Sequence, residues 1–315
     1  MPLYDSIVDL IGNTPVVDIS ALSPNPRARI VAKLEGQNPG GSVKDRAAKY
    51  MIDEAEKEGR LQPGAIVLES SSGNTGIALA MICKLRGYHF KVVLPENVSI
   101  ERRQLLEVWG AEIIPSPGSE GSNGAMRRAK VLAAEHPTWW FPYQYGNPAN
   151  PRAHYEGTGP ELWRDCPELT HLVAGLGTAG TLMGVGRYLK EQNPAVQVWA
   201  IEPPIGEMVD GLKNFDEGFV PEVFLDNDGY ELLDRRIIVR PRESIEWTRR
   251  LTEVGVFAGI SSGAVVAGAA RCAEQIDEGV IAVIVADGGW KYLSTGAWTD
   301  DLEVVEARAK GMIYF

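Results

Sequence analysis

The sequence predicts an α/β protein of two doubly wound lobes on mostly parallel sheets, and two observations carry that expectation. Short β-rich apolar runs alternate with Gly/Ser loops and helical patterns, an order that buries parallel strands between helices on both faces. The 315 residues, 44% apolar and 23% charged, suffice for two medium lobes, each with its own core. In chain order, the run at 29–35 leads into a helix starting near Lys44. The run 65–69 leads through Ser70-Ser-Ser-Gly-Asn-Thr-Gly76 into an apolar helix over 77–85. The run 90–94 passes Pro95-Glu-Asn97 to a helix over 101–109, and 171–175 passes a glycine loop to a helix near 181–189. Residues 196–201 and 281–286 read as further buried strands. The Pro/Asn-rich stretch 141–151 is the expected crossing between a smaller mobile lobe, 37–145, and a larger lobe made of 1–36 and 146–315.

Composition excludes several classes. Acidic residues outnumber basic ones by 42 to 31, a net charge of −11, which argues against nucleic acid or an anionic membrane as partner. No apolar run approaches the length of a membrane span. The opening Met-Pro-Leu-Tyr-Asp-Ser lacks the basic and apolar regions of a secretory leader, so a cytoplasmic location is expected. Cys83, Cys166 and Cys272 are scattered and odd in number, which fits reduced core thiols. The four histidines stand apart, no two at ligand spacing, so no metal is expected.

The stretch Asn38-Pro-Gly-Gly-Ser-Val-Lys-Asp-Arg46 is more informative. It puts Lys44 in the first turn of a predicted helix behind an expected N-cap at Ser42. The positive end of the helix dipole disfavours an ammonium there. Such a lysine suits a depressed pKa and amine chemistry such as a Schiff base; a side chain snorkelling to solvent is the plainer reading.

Three loops add to it. Gly175-Leu-Gly-Thr-Ala-Gly-Thr181 follows a strand and opens a helix, so its amides and hydroxyls suit an anion. It also matches the dinucleotide fingerprint, with Glu202 near the expected acidic position. At the level of the loop, a dehydrogenase and a phosphate cup for another cofactor both stand. Ser70–Gly76 is a helix start rich in hydroxyls without a cation, which suits a carboxylate. Gly259-Ile-Ser-Ser-Gly-Ala264 offers Ser261 and Ser262 at a third helix start.

These motifs, in this order, resemble the pyridoxal-phosphate enzymes of the tryptophan-synthase-β type (fold type II), and among them the cysteine synthases. The resemblance runs from Ile11-Gly-Asn-Thr-Pro15 to Lys291-Tyr-Leu-Ser-Thr-Gly296. It implies pyridoxal 5′-phosphate as cofactor, with Lys44 forming the Schiff base and later removing the substrate α-proton. It implies that Asn74 bonds the cofactor's 3′ oxygen, that Gly177, Thr178, Ala179, Gly180 and Thr181 hold its phosphate, and that Ser261 faces the pyridine nitrogen. Ser71, Ser72, Thr75 and Gln144 are implied to bind the substrate carboxylate and to close the smaller lobe. Under this resemblance the glycine loop becomes a phosphate cup and Glu202 has no ribose role.

The implied reaction is β-replacement on an O-activated L-serine by a sulfur nucleophile, through an aminoacrylate. Glu101-Arg-Arg-Gln-Leu-Leu106, Asn214-Phe-Asp-Glu-Gly-Phe-Val-Pro-Glu222 and Gly289-Trp-Lys-Tyr-Leu-Ser-Thr295 look closest to the branch that uses O-phosphoserine and a thiocarboxylated sulfur-carrier protein. That branch carries arginine where Lys213 stands, and lysine keeps the charge without the bidentate fork. O-phosphoserine is therefore placed slightly ahead of O-acetylserine. Ser71 and Ala179 are milder departures. A homodimer is implied, and the tail Gly311-Met-Ile-Tyr-Phe315 is a possible cover for the active-site mouth. The alternatives are a cystathionine β-synthase-like or serine dehydratase activity and, more remotely, an NAD(P)-dependent oxidoreductase. A non-catalytic relative would be expected to have lost Lys44, Asn74 and Ser261.

Overall fold

The computed structural model describes residues 3–71 and 73–309; Ser72 and the tail 311–315 lie outside them. Among the described residues, nine strands form two sheets. Strands β1 (Val16–Asp18), β2 (Ala28–Leu34), β6 (His171–Gly175), β7 (Gln197–Glu202), β8 (Arg235–Ile238) and β9 (Gly279–Val285) make a six-stranded sheet in the order β1-β2-β9-β6-β7-β8. Strands β3 (Ile66–Ser70), β4 (His89–Pro95) and β5 (Glu112–Ser116) make the other, in sequence order. Every pairing is parallel except β1 on β2, so the expected mostly parallel α/β class holds.

The helices are α1 (Lys44–Lys57), α2 (Asn74–Arg86), α3 (Ile100–Val108), α4 (Gly121–Glu135), α5 (Ala149–Ala153), α6 (Gly159–Asp165), α7 (Gly180–Gln192), α8 (Glu222–Leu225), α9 (Gly229–Leu232), α10 (Pro241–Glu253), α11 (Ile260–Gln275) and α12 (Leu302–Ala309). Side-chain alternation shows why both sheets are covered. In β9, Ile281, Val283 and Val285 enter one core with α11, whereas Val280, Ala282 and Ile284 enter another with α7. Successive strand residues point to opposite faces, so a run apolar at every position must be buried on both. The smaller sheet behaves alike: Val67, Val92 and Leu94 pack against α1 and α2, and Leu68 and Val93 against α4.

Sequence and structure differ at several boundaries. The helix expected near Lys44 starts at Lys44 itself, with Val43 as its cap residue in helical conformation. Ser42 is not the N-cap; its Oγ accepts from the Lys44 N–H at 3.2 Å while its backbone bridges to Asp287. That bridge, with the Val43 N–H donating to the Ala286 carbonyl, holds the Pro/Gly loop to the end of β9. Strands β1, β5 and β8 and helix α4 have no counterpart in the sequence reading. Glu202 pairs with Arg236 at 2.8 Å.

One buried ion cluster joins these parts. Arg46, two residues beyond Lys44, donates to both oxygens of Glu35 (2.7 and 2.9 Å) and both of Glu161 (2.7 Å each). Lys33 reaches Glu161 at 2.7 Å. Removing one partner of a buried pair strands the other charge, at a cost of about 3–5 kcal/mol. Arg46→Ala, which strands two carboxylates, should therefore lower the melting temperature by well over 5 °C or leave the protein unfolded. A calorimetric midpoint within a degree or two of the parent would contradict this account.

Candidate active site

The carboxyl ends of β3, β6 and β9 converge on one cleft, the place where open parallel sheets bind ligands. Two adjoining cavities, one larger than the other, meet there and share Lys44, Gly177, Thr178 and Ser261 in their walls. The larger one is also lined by Ser71, Asn74, Thr75, Gln144 and Lys213, and the smaller one by Ala179 and Thr181. The cleft thus gathers the expected residues except Gly180, which opens α7 beside it, and Ser72, which lies outside the described residues.

Burial lowers the pKa of Lys44 below the ordinary lysine value, Asp287 opposes that shift, and Lys291 reinforces it. Asp287 accepts from Asn74 Nδ2 at 2.7 Å and from the Tyr292 hydroxyl at 2.5 Å. Lys291, fully buried, donates to Asn74 Oδ1 at 2.6 Å and to the carbonyls of Gly40 and Gly41.

The 177–181 loop has the shape of an anion cup. Gly177 lies so close to the Gly211 carbonyl that a Cβ would sit 2.6 Å from it. Ala179 holds φ +67°, a left-handed conformation that costs a non-glycine residue roughly 1 kcal/mol or more. The alanine departure is therefore strained as well as tolerated. Asn150 donates to Thr178 Oγ1 at 3.1 Å, so the threonine's own proton remains for an anion. His154 lies 3.3 Å from Thr181 Oγ1; burial, then Arg46 and Lys44, hold its pKa well below the ordinary value. It is neutral there.

At the other loop, Ser71 Oγ accepts from the N–H groups of Gly73 and Gly76 (3.2 and 3.0 Å) and caps α2. Thr75 donates to Gln144 Oε1 at 2.6 Å, which leaves the Gln144 amide hydrogens as donors. Beneath them Glu69 is fully buried, and desolvation pushes its pKa to about 7 despite bonds from backbone N–H groups of Ser70 and Gln144. Ser261 opens α11 next to Gly211.

The sequence reading missed Asp45, Asn150, Arg102, Asp210, Asp287 and Tyr292. Asp287 lies two residues past the end of β9, so its position was the available signal.

The residues fit pyridoxal 5′-phosphate: a cup of amides and hydroxyls, a glycine that no larger residue can replace, and a lysine of depressed pKa within one cleft. The comparisons agree. The chain matches the family described as pyridoxal-phosphate dependent enzyme over residues 7–287. It is 40% identical over 299 residues to cysteine synthase B of Salmonella typhimurium, covering 94% of this chain and 97% of that one. Among solved structures it resembles an O-ureido-L-serine synthase (TM-score 0.88, 38% identity, 94% and 96% covered). It also resembles an O-acetylserine dependent cystathionine β-synthase from Helicobacter pylori (TM-score 0.88, 35% identity, 95% and 100% covered). The protein belongs to the pyridoxal-phosphate dependent enzymes of fold type II. Within them it is a member of the cysteine synthase family.

The loop that presents Lys44 makes a pH prediction. Asp45 accepts from the Gly40 N–H at 2.5 Å, and desolvation is the main cause that raises its pKa to about 7. A carboxyl whose folded pKa is raised contributes stability that is complete below its unfolded pKa near 3.8 and is lost as pH rises through 7. Asn does not titrate, so Asp45→Asn should gain on the parent by about 2 kcal/mol between pH 5 and pH 8. Denaturant unfolding at both pH values reads this, and a gap that stays constant would refute it.

Proposed function

We propose that this protein makes cysteine from an O-activated L-serine by β-replacement, with Lys44 as the amine that holds the cofactor and then moves the substrate α-proton. The observation that carries this reading is the position of Lys44, with its depressed pKa, between an anion cup and a carboxylate-type loop. Bound pyridoxal 5′-phosphate supplies an electron sink that makes the α-proton acidic and the β-substituent expellable. Gly177, Thr178, Ala179, Gly180 and Thr181 hold the phosphate, Asn74 donates to the 3′ oxygen, and Ser261 faces the ring nitrogen. Ser71, Ser72, Thr75 and Gln144 receive the substrate carboxylate. A serine at the ring nitrogen leaves the sink weaker than a carboxylate would, which suits loss of a good β-leaving group.

O-phosphoserine is favoured over O-acetylserine because Lys213 lines the same cavity, near the rings of Tyr145 and Phe219, where its ammonium meets a phosphate. The sulfur comes as sulfide or from a thiocarboxylated carrier protein. The protein works in the cytoplasm as a homodimer, with 37–145 as the lobe that closes on substrate.

An absorbance scan of the purified protein, followed by each ester in turn, tests the reading. The parent should carry a visible band that shifts with O-phosphoserine at lower concentration than with O-acetylserine. Lys44→Ala should fold normally, and borohydride should not fix pyridoxal phosphate to it covalently. A parent that takes up no pyridoxal phosphate, or a Lys44→Ala variant that still fixes it at the same site, would overturn the assignment.

A further inference from the structure

A buried arginine in the substrate cavity has no part in the roles above. Arg102, on α3 beside the smaller sheet, is 2% exposed and lines the larger of the two cavities. Its Nη2 donates to Asp210, which follows β7 of the larger sheet, and its guanidinium lies over the Tyr292 ring, 4.7 Å from the centroid. The opposite nitrogen, Nη1, is buried with no hydrogen-bond acceptor among the described residues. Leaving such a donor unmet is unfavourable, and more so for a charged group. The Asp210 bond and the Tyr292 face fix the guanidinium, so Nη1 cannot swing out to water. Gly73 of the carboxylate loop faces it: a Cβ built there would lie 3.7 Å from its Nε. Arg102 thus stands between the place where the substrate carboxylate is received and the loop that bears Lys213.

We propose that Arg102 is a specificity-determining residue that donates from Nη1 to an oxygen of the substrate's β-substituent, and that Asp210 sets the charge this oxygen meets. The inference rests on the cysteine synthase reading and deepens it. Lys213 and Arg102 bring two positive charges to this end of the cavity, and Asp210 removes one. A net charge of one favours an anionic substituent over a neutral ester, yet stops short of matching a phosphomonoester, which carries nearly two negative charges at neutral pH. Asp210 therefore limits the preference for O-phosphoserine that Lys213 and Arg102 create.

The test is the ratio of kcat/KM for O-phosphoserine to kcat/KM for O-acetylserine, with the inhibition constant of inorganic phosphate as a second readout. Asp210→Asn keeps the shape and an acceptor for Arg102 while removing the charge. It should raise the ratio about tenfold and tighten phosphate by a similar factor. Arg102→Gln should lower the ratio at least tenfold, and Arg102→Lys should recover part of it, since the charge returns without the fork. A merely structural pair would change both esters equally, so an unchanged ratio and phosphate constant in Asp210→Asn and Arg102→Lys would overturn the proposal. A parent that loads pyridoxal phosphate but converts neither ester would instead sink the cysteine synthase reading, and this proposal with it.

Discussion

The Arg46 guanidinium is the point on which the rest of the molecule depends. Its donors are spent on Glu35 at the end of β2, on Glu161 in α6 and on the hydroxyl of Thr14, three segments far apart in sequence. Glu161 in turn accepts from the Asn13 N–H, and Glu35 from Asn38 and Thr14. Lys33, Arg46, Glu35 and Glu161 sum to zero charge, so the cluster can be buried without a net ion in low dielectric. Arg46 also lies two residues beyond Lys44 on α1. Whatever fixes the guanidinium fixes the start of that helix against the larger sheet, and the reactive amine with it.

Charge balance recurs at the cleft. Lys44, Lys291 and Arg102 face Asp45, Asp287 and Asp210 within one connected set of buried groups. The cations matter as a counterweight: with Lys291 near Asp45, and Lys44 near Asp287, neither carboxylate stands alone. Each lysine is nonetheless held below its ordinary pKa, chiefly by burial. In Lys44 that burial is useful, because an amine must lose its proton to act as nucleophile or base. In Lys291 the ammonium is held by two carbonyls and an amide oxygen, a set of acceptors that suits the charged form.

Much of this was legible in the sequence because it is local. Buried parallel strands read as continuous apolar runs, and β2, β3, β4, β6, β7 and β9 were each found within a few residues. The glycine loop, the serine loop and the lysine loop were found because each opens a helix with a specific chemistry. What escaped was tertiary. β1 and β8 are short edge strands of three and four residues, too brief for a pattern. Helix α4 opens with Gly-Ser-Asn-Gly, poor helix formers, and is held by packing on the smaller sheet. Arg102 and Asp210 lie 108 residues apart; neither alone differs from a surface charge, and only the fold makes them a pair.

Asn74 shows how such distant partners set local chemistry. An amide's two ends are nearly isosteric, so its orientation must follow from its neighbours. Lys291 has only hydrogens to offer and Asp287, as a carboxylate, only lone pairs. The oxygen of Asn74 must therefore face Lys291 and its nitrogen Asp287, in keeping with the distances of 2.6 and 2.7 Å. With one amide hydrogen given to Asp287, one remains, pointed by the other two contacts. A reversed amide would set N–H against ammonium and C=O against carboxylate, two repulsive contacts in place of two charge-assisted bonds. The residue expected to meet an oxygen of the cofactor is thus kept as a donor by two side chains from the far end of the chain, and either could be lost without touching a ligand while altering what Asn74 presents.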